Sequence, residues 1–465
     1  MIDFTRGPTF RNMVLFSAPI MLQGSFQIAY NLVDRYWVGQ LGKEALAAVS
    51  VGFPVIFFMI SVLIGLGIGA GIMVAQYRGA GKPDQVNLTA RNFIVFGILS
   101  VLVVSAAMLV SVGGILRMLD TPAEIFHSAR VYLQWIFASL LFMFGFNGAT
   151  GIFRGLGDSK TPTVVAGVTT LLNIILDPVL IYGLWFFPRL EVAGAAIATG
   201  FSNLVGAVII FAFLARQREY VSLSPRGFRF DWKVIRDILR IGLPSSATMV
   251  MVSLGSMVLM WLVNGYGTAA TAGFGIGIVL DSLLMMPAQS FAMSMSTICG
   301  QNLGAGKKDR IDRSLRETLF LSGAVGVAGA VILNLMVVSL TREFQPDPAD
   351  FQVVLPFVTI YVRIMTLRYS LMGLFFPILG TIRGAGDTMA AMIISAFNQV
   401  LIRIPIAILL SKWLGFAAVP AAMSISTVFG LIIVSLYYGS RMWETRGGLV
   451  EVGPGVVAQP SDAPD

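Results

Sequence analysis

Of 465 residues, 56% are apolar and only 12% are charged, and the mean hydropathy is +0.81, a balance that excludes a water-soluble domain of this length. The net charge of +8 is not a nucleic-acid signature, because lysine and arginine collect in alternate loops. One cysteine, Cys299, and one histidine, His127, exclude an internal disulfide, a thiol metal site and any histidine cluster.

Apolar runs of 20 or more residues recur along the chain, each long enough to cross a hydrocarbon core of roughly 30 Å as a helix. The runs predict about twelve crossings, near 13–38, 46–75, 93–116, 128–152, 162–184 and 192–215 in the first half. In the second they lie near 241–264, 270–299, 317–340, 352–380, 388–411 and 415–439. Alternation of period two is absent, so helices rather than a barrel must satisfy the backbone in lipid. The expected fold is therefore an all-α polytopic membrane protein. No cleavage site follows the first run, which is read as a retained helix. The termini and even-numbered loops hold 22 basic residues and the odd-numbered loops seven, which predicts that both termini are cytoplasmic and that the chain sits in the cell's inner membrane.

A shift of 225 residues superimposes three stretches. Arg11 and Pro19 fall on Arg236 and Pro244; Gly42, Ala47 and Gly52 fall on Gly267, Ala272 and Gly277; Gln76 and the GAGK from Gly79 fall on Gln301 and the GAGK from Gly304. A shift of 229 carries Arg154 and its GLGD onto Arg383 and its GAGD. Six helices separate the copies, so both halves enter the membrane the same way round, with a symmetry axis along the membrane normal and a cleft between two lobes. The expected lobes are 1–215 and 241–440, joined by a basic connector at 216–240 and followed by a tail at 441–465 that reads as disordered. Neither GAGK completes a phosphate loop, since the earlier glycine is misplaced and no Ser or Thr follows the lysine; both read as tight basic turns.

Ionisable residues inside the spans carry the functional information, because each costs about 2.5–3.5 kcal/mol at the bilayer centre on insertion scales. Six qualify: Asp34, Asp177, Asp281, Arg363, Arg368 and Arg403. Asn173 and Asp177 stand one turn apart on one helix face, and Pro178 crowds the carbonyl of Ile174, leaving it open to a cation or water. Asp34 is expected at a similar depth. Burial disfavours the charged carboxylate and a second carboxylate disfavours it further, so such a pair can exchange a proton or hold Na+ between oxygens. Asp281 and Arg368 both fall near mid-depth, where a buried ion pair is the simplest account, leaving Arg363 and Arg403 as candidates to face the cleft.

The stretches NLVDRYWVGQLG, AQYRGAGK, FRGLGDSKTP, NIILDPVLIYG, GAAIAT, ICGQNLGAGK and IRGAGD together resemble the multidrug and toxic compound extrusion (MATE) family, over Arg11 to about Tyr438, most closely its DinF-like branch. The resemblance implies two bundles around a cleft and drug efflux driven by inward H+ or Na+. It also implies an N-lobe coupling cluster matching Asp34, Asn173, Asp177 and Thr199. Other members use acids in helices seven and ten; here helix seven has none and helix ten carries arginines, which puts that second cation site in doubt. The expectation is a secondary antiporter for amphipathic small molecules, read as a monomer in the lipid bilayer. It needs no cofactor beyond the coupling ion and no nucleic acid, and Pro19, Pro178 and Pro244 mark helices that bend. The rival readings are a flippase for a lipid-linked precursor and an exporter of a specific anionic or zwitterionic metabolite. An intramembrane enzyme lacks any HExxH or GxSxG.

Overall fold

The computed structural model describes residues 1–448 apart from 186, 223, 225 and 346; Pro225 of the connector and the tail from 449 onward lie outside the described residues. Among the described residues every regular element is helical. The first half comprises α1 (Thr9–Gly39), α2 (Lys43–Gly79), α3 (Pro83–Met118), α4 (Ala123–Gly155), α5 (Lys160–Tyr182) and α6 (Val192–Arg216). The second comprises α7 (Trp232–Asn264), α8 (Thr268–Gly304), α9 (Lys308–Phe344), α10 (Pro348–Gly384), α11 (Thr388–Ala396), α12 (Arg403–Leu414), α13 (Ala418–Gly439) and a short α14 (Met442–Arg446). A π-helical turn at Phe397–Ile402 runs α11 directly into α12.

Eleven continuous helical stretches are long and apolar enough to cross a membrane, the last being 52 residues from Thr388 to Gly439. Drawn straight, that stretch would reach about 80 Å, far beyond a core of about 30 Å. It reverses at a 3-10 turn, Gly415–Ala417, where Gly415 takes a φ of 55° and α12 folds back along α13. Twelve crossings result. Several helices outrun their apolar spans: α3 begins at Pro83 rather than near 93, because PDQVNLTARN supplies a proline at the first helical turn and an early Asp84. Likewise α7 starts at Trp232, with Asp231 capping the amide of Lys233 at 2.9 Å, so the last third of the expected connector is helix.

The repeated turns take repeated conformations. Gly81 and Gly306 of the two GAGK copies have φ of 67° and 70°, a left-handed geometry that glycine adopts without cost and that stops α2 and α8.

The packing is crossed at one end. α1 packs on α5 and, across the seam, on α8; α7 packs on α11 and, across the seam, on α2. The buried residues Met13, Phe16 and Ile20 of α1 join the core of the second half, whereas Val234, Ile235, Ile238 and Ile241 of α7 join the core of the first. The end of the bundle where this exchange occurs also carries both GAGK turns, and we call it the basic face. Both described chain ends are there: Ile2 N donates to Gly157 O at 2.8 Å, and Lys308 Nζ pairs with Glu444 at 2.6 Å.

Candidate functional site

Helices α1 and α5 run side by side in the same direction, and two hydrogen bonds fix their register. Thr163 Oγ1 donates to Pro19 O at 2.8 Å near the basic face, and Tyr182 Oη donates to Trp37 O at 3.3 Å at the other end. The partners are separated by 144 and 145 residues, which brings Asp34 level with 178–179, beside Asp177. Asp177 is 0% exposed and Asp34 is half-buried, and the two carboxylates interact electrostatically with each other and with Tyr30 and Tyr132.

Asn173 and Asp177 sit one turn apart as α-helical spacing requires, and Asn173 Nδ2 donates to Asp177 Oδ1 at 3.1 Å. Asp177 Oδ2 and Asn173 Oδ1 are buried with no hydrogen-bond partner. Thr199 of α6 and Tyr30 of α1 share a hydrogen bond of 2.7 Å, which adds a hydroxyl pair to the cluster. Among the described residues neither Asp34 nor Asp177 forms an ion pair. The donor set is thus two carboxylates, an amide oxygen and hydroxyl oxygens, with unused acceptors pointing inward. Such a set takes a proton or a hard monovalent cation.

The second half places its charges differently. Arg368 Nη1 donates to both oxygens of Asp281, at 2.8 and 3.1 Å, and both side chains are largely buried. Arg403 is buried inside the half, where its Nε donates to Ser426 Oγ at 3.1 Å and its Nη1 to Gln399 Oε1 at 3.0 Å. Arg363 is exposed on α10, apart from these two. Pro19, Pro178 and Pro244 all lie within continuous helices.

The seam between halves is closed at the basic face by the two repeated motifs, joined crosswise. Gln76 Nε2 donates to Gly384 O at 3.2 Å and Ala385 O at 2.8 Å, at the end of α10; Gln301 Nε2 donates to Gly155 O at 3.0 Å, at the end of α4. Gln301 Oε1 also accepts from Phe4 N at 3.2 Å, so the amino-terminal segment is part of the closure. In this segment burial pushes the Asp3 carboxyl upward, but hydrogen bonds from Thr5 and the charge of Arg78 hold it below the usual carboxylate range. A Cβ on Gly79 would stand 1.9 Å from Gln301 O, and one on Gly304 would stand 2.0 Å from Gln76 O, so the two backbones touch through glycine alone. Other bonds between the halves, such as Ser17 to Ser294 and Ser246 to Val62, lie between mid-depth and the basic face. Toward the opposite face, no hydrogen bond joins the halves among the described residues.

The model of the MatE family matches residues 19–179 and 244–409, one segment in each half. The chain belongs to the MatE family. It is therefore a multi-pass membrane transporter and not an enzyme. Among MatE relatives, the chain is 31% identical over 450 residues to a Bacillus subtilis protein named "Probable multidrug resistance protein YoeA", with 94% of each chain covered. It is 28% identical to the Thermotoga maritima "Probable multidrug resistance protein NorM", again with 94% of each covered. A solved structure described as the outward-facing conformation of a multidrug resistance MATE family transporter superimposes with a TM-score of 0.88 at 25% identity, over 95% of this chain and 97% of that one.

Sequence reasoning missed Tyr30, Tyr132, Gln76 and Gln301 as site or closure residues. The glutamines were visible as a repeated pair, but only their crosswise contact shows what the repetition is for. The tyrosines carried no signal beyond their place in apolar runs.

Proposed function

We propose that this MatE transporter is a secondary antiporter that exports amphipathic small molecules in exchange for H+ or Na+ entering at Asp34, Asn173, Asp177 and Thr199. The observation that carries the reading is Asp177: fully buried, without an ion-pair partner among the described residues, bearing an unused acceptor oxygen, and level with a second carboxylate. A buried carboxylate in lipid is stable only when it is protonated, coordinates a cation or has a water path, so its occupancy is tied to conformation. The multidrug names of the relatives support the substrate class.

Alternating access fits the same arrangement. Taking the basic face as cytoplasmic, the crosswise glutamines close that side while the other side of the seam lacks hydrogen bonds among the described residues, which fits an outward-facing state. Opening inward requires the exchanged ends of α1 and α7 to leave the opposite half. Pro19 and Pro244 stand at the border of those ends, next to Ile20 and Ile241, and free the carbonyls of Leu15 and Arg240 from helical bonding, so they are placed to act as hinges.

Asp177→Asn keeps the size and the bond to Asn173 but cannot bind a proton or neutralise Na+. In proteoliposomes under a pH or a Na+ gradient imposed separately, the variant is expected to lose gradient-driven export of a cationic dye by at least about tenfold, at normal expression. Wild-type rates in both gradients would remove the mechanism, and the gradient to which the wild type responds names the ion.

A further inference from the structure

Shifts between 225 and 229 pair Asn173, Tyr132 and Thr199 of the first-half cluster with polar residues of the second half, while Asp34 falls on Leu259 and has no polar counterpart. The shift of 225 carries Asn173 onto Asn398, and the shift of 229 that superimposes Arg154 on Arg383 carries Tyr132 onto Tyr361. On the last helix, an intermediate shift of 227 brings Thr199 onto Ser426. Asp177 follows Asn173 by four residues, the α-helical hydrogen-bond step, whereas the step from Asn398 is set by the π-helical turn at Phe397–Ile402, where hydrogen bonds span five residues and the backbone N–H of Arg403 donates to Asn398 O. The extra residue of the π turn thus puts an arginine where the first half has its coupling aspartate, with Asn398, Tyr361 and Ser426 standing in for Asn173, Tyr132 and Thr199.

The polarity of the unused groups inverts accordingly. Within the first-half cluster, the buried atoms of Asn173 and Asp177 without partners are acceptors, Asp177 Oδ2 and Asn173 Oδ1. Around Arg403 in the second half they are chiefly donors: Arg403 Nη2, Arg368 Nε and the hydroxyls of Tyr361 and Tyr369, with Asn398 Oδ1 exchangeable for its amide nitrogen by a half-turn of the side chain. All of these residues are nine-tenths buried or more, with Arg403 4% and Arg368 6% exposed. Arg403 interacts electrostatically with Arg368, Asp281 and Tyr361, and Tyr369 with Asp281 and Arg368, so the groups share one region.

The charge does not balance. Among the described residues, Asp281 is the carboxylate that acts electrostatically on the cluster, and both its oxygens are committed to Arg368. Arg403 is left with the neutral partners Ser426 and Gln399, which satisfy two of its nitrogens but do not neutralise it. An uncompensated guanidinium buried in a membrane bundle is costly, and a small anion between unused N–H and O–H donors removes that cost.

We propose that the second half contains a binding site for a small monovalent anion of halide size, made by Arg403, Arg368 and Tyr361 as the charge-inverted copy of the first half's cation site.

The test uses the purified full-length transporter in detergent and reads binding, so it does not depend on antiport. Thermal unfolding is followed in sodium gluconate while chloride replaces gluconate at constant ionic strength. Bromide serves as a second probe, for its anomalous scattering in crystals. Wild type is expected to show a saturable rise in melting temperature and a bromide peak beside Arg403. Arg403→Gln should raise the half-saturating chloride concentration about tenfold or more, as loss of a charge-assisted hydrogen bond implies. Tyr361→Phe, which removes one hydroxyl at constant shape, should weaken binding several-fold, and it decides the matter if the arginine variant does not fold. Identical melting of the wild type in chloride and gluconate, or an unchanged chloride response in Tyr361→Phe together with any foldable Arg403→Gln, overturns the site.

Discussion

Replacing Gln301 by alanine removes two hydrogen bonds present with the basic face closed, the 3.0 Å donation to Gly155 O and the 3.2 Å bond accepted from Phe4 N. Gln76→Ala removes the paired donations to Gly384 O and Ala385 O. At about 1 kcal/mol net per bond, each substitution withdraws about 2 kcal/mol from the closed state, a shift of about 30-fold in the ratio of closed to open forms. The double variant shifts it further, though by less than the sum if the two sides open together. Spin labels at Asp84 and Asp309, exposed positions that follow the two GAGK turns and are equivalent under the 225-residue shift, report the separation of the halves at that face. Each single variant is expected to move the distance distribution toward a longer component. Unchanged distributions in both single variants would refute the crosswise glutamines as the closing contact and leave the glycine backbones as the whole of it.

Two further predictions probe the same architecture. Gly304→Ala places a methyl group 2.0 Å from a backbone oxygen that has no room to give, so it should separate the halves in the same label experiment. Gly81→Ala, at φ 67° with open space around it, should strain its own turn yet leave the distances unchanged; equal effects would mean that turn strain, not contact across the seam, controls closure. Asp281→Asn leaves Arg368 buried without its counter-charge and should cost about 3–5 kcal/mol in denaturant unfolding, part of which Asp281→Asn with Arg368→Gln recovers. A single-variant cost below about 1 kcal/mol would show that the pair is not held in a dry interior.

The helices and their pairing were legible in the sequence because lipid permits few alternatives: a run of 20 apolar residues must form a helix, and a repeat separated by six helices must be parallel. Asp34 and Asp177 were legible for a related reason, since the cost of a carboxylate in lipid marks it without any knowledge of contacts. What escaped were features whose cause lies between elements. The exchange of Met13–Ile20 and Val234–Ile241 between cores leaves no trace in hydropathy, because an apolar residue scores the same whichever half buries it. Helix ends escaped too, as at Pro83, where polar residues continue a helix that hydropathy had stopped.

The π turn at Phe397–Ile402 shows the same limit most sharply. Counted in residues, Asn398 and Arg403 are five apart and an α-helical reading puts them on different faces, so the correspondence with Asn173 and Asp177 is hidden by a single residue. Counted in hydrogen-bond steps, both pairs are one apart. Here the one-residue slip coincides with a reversal of charge, an acidic cluster in one half and a basic one in the other, so the proposed cation and anion sites lie in different halves. The two sites are then coupled only through the arrangement of the halves, which makes the halide response in the presence and absence of the Asp177→Asn change a direct measure of that coupling.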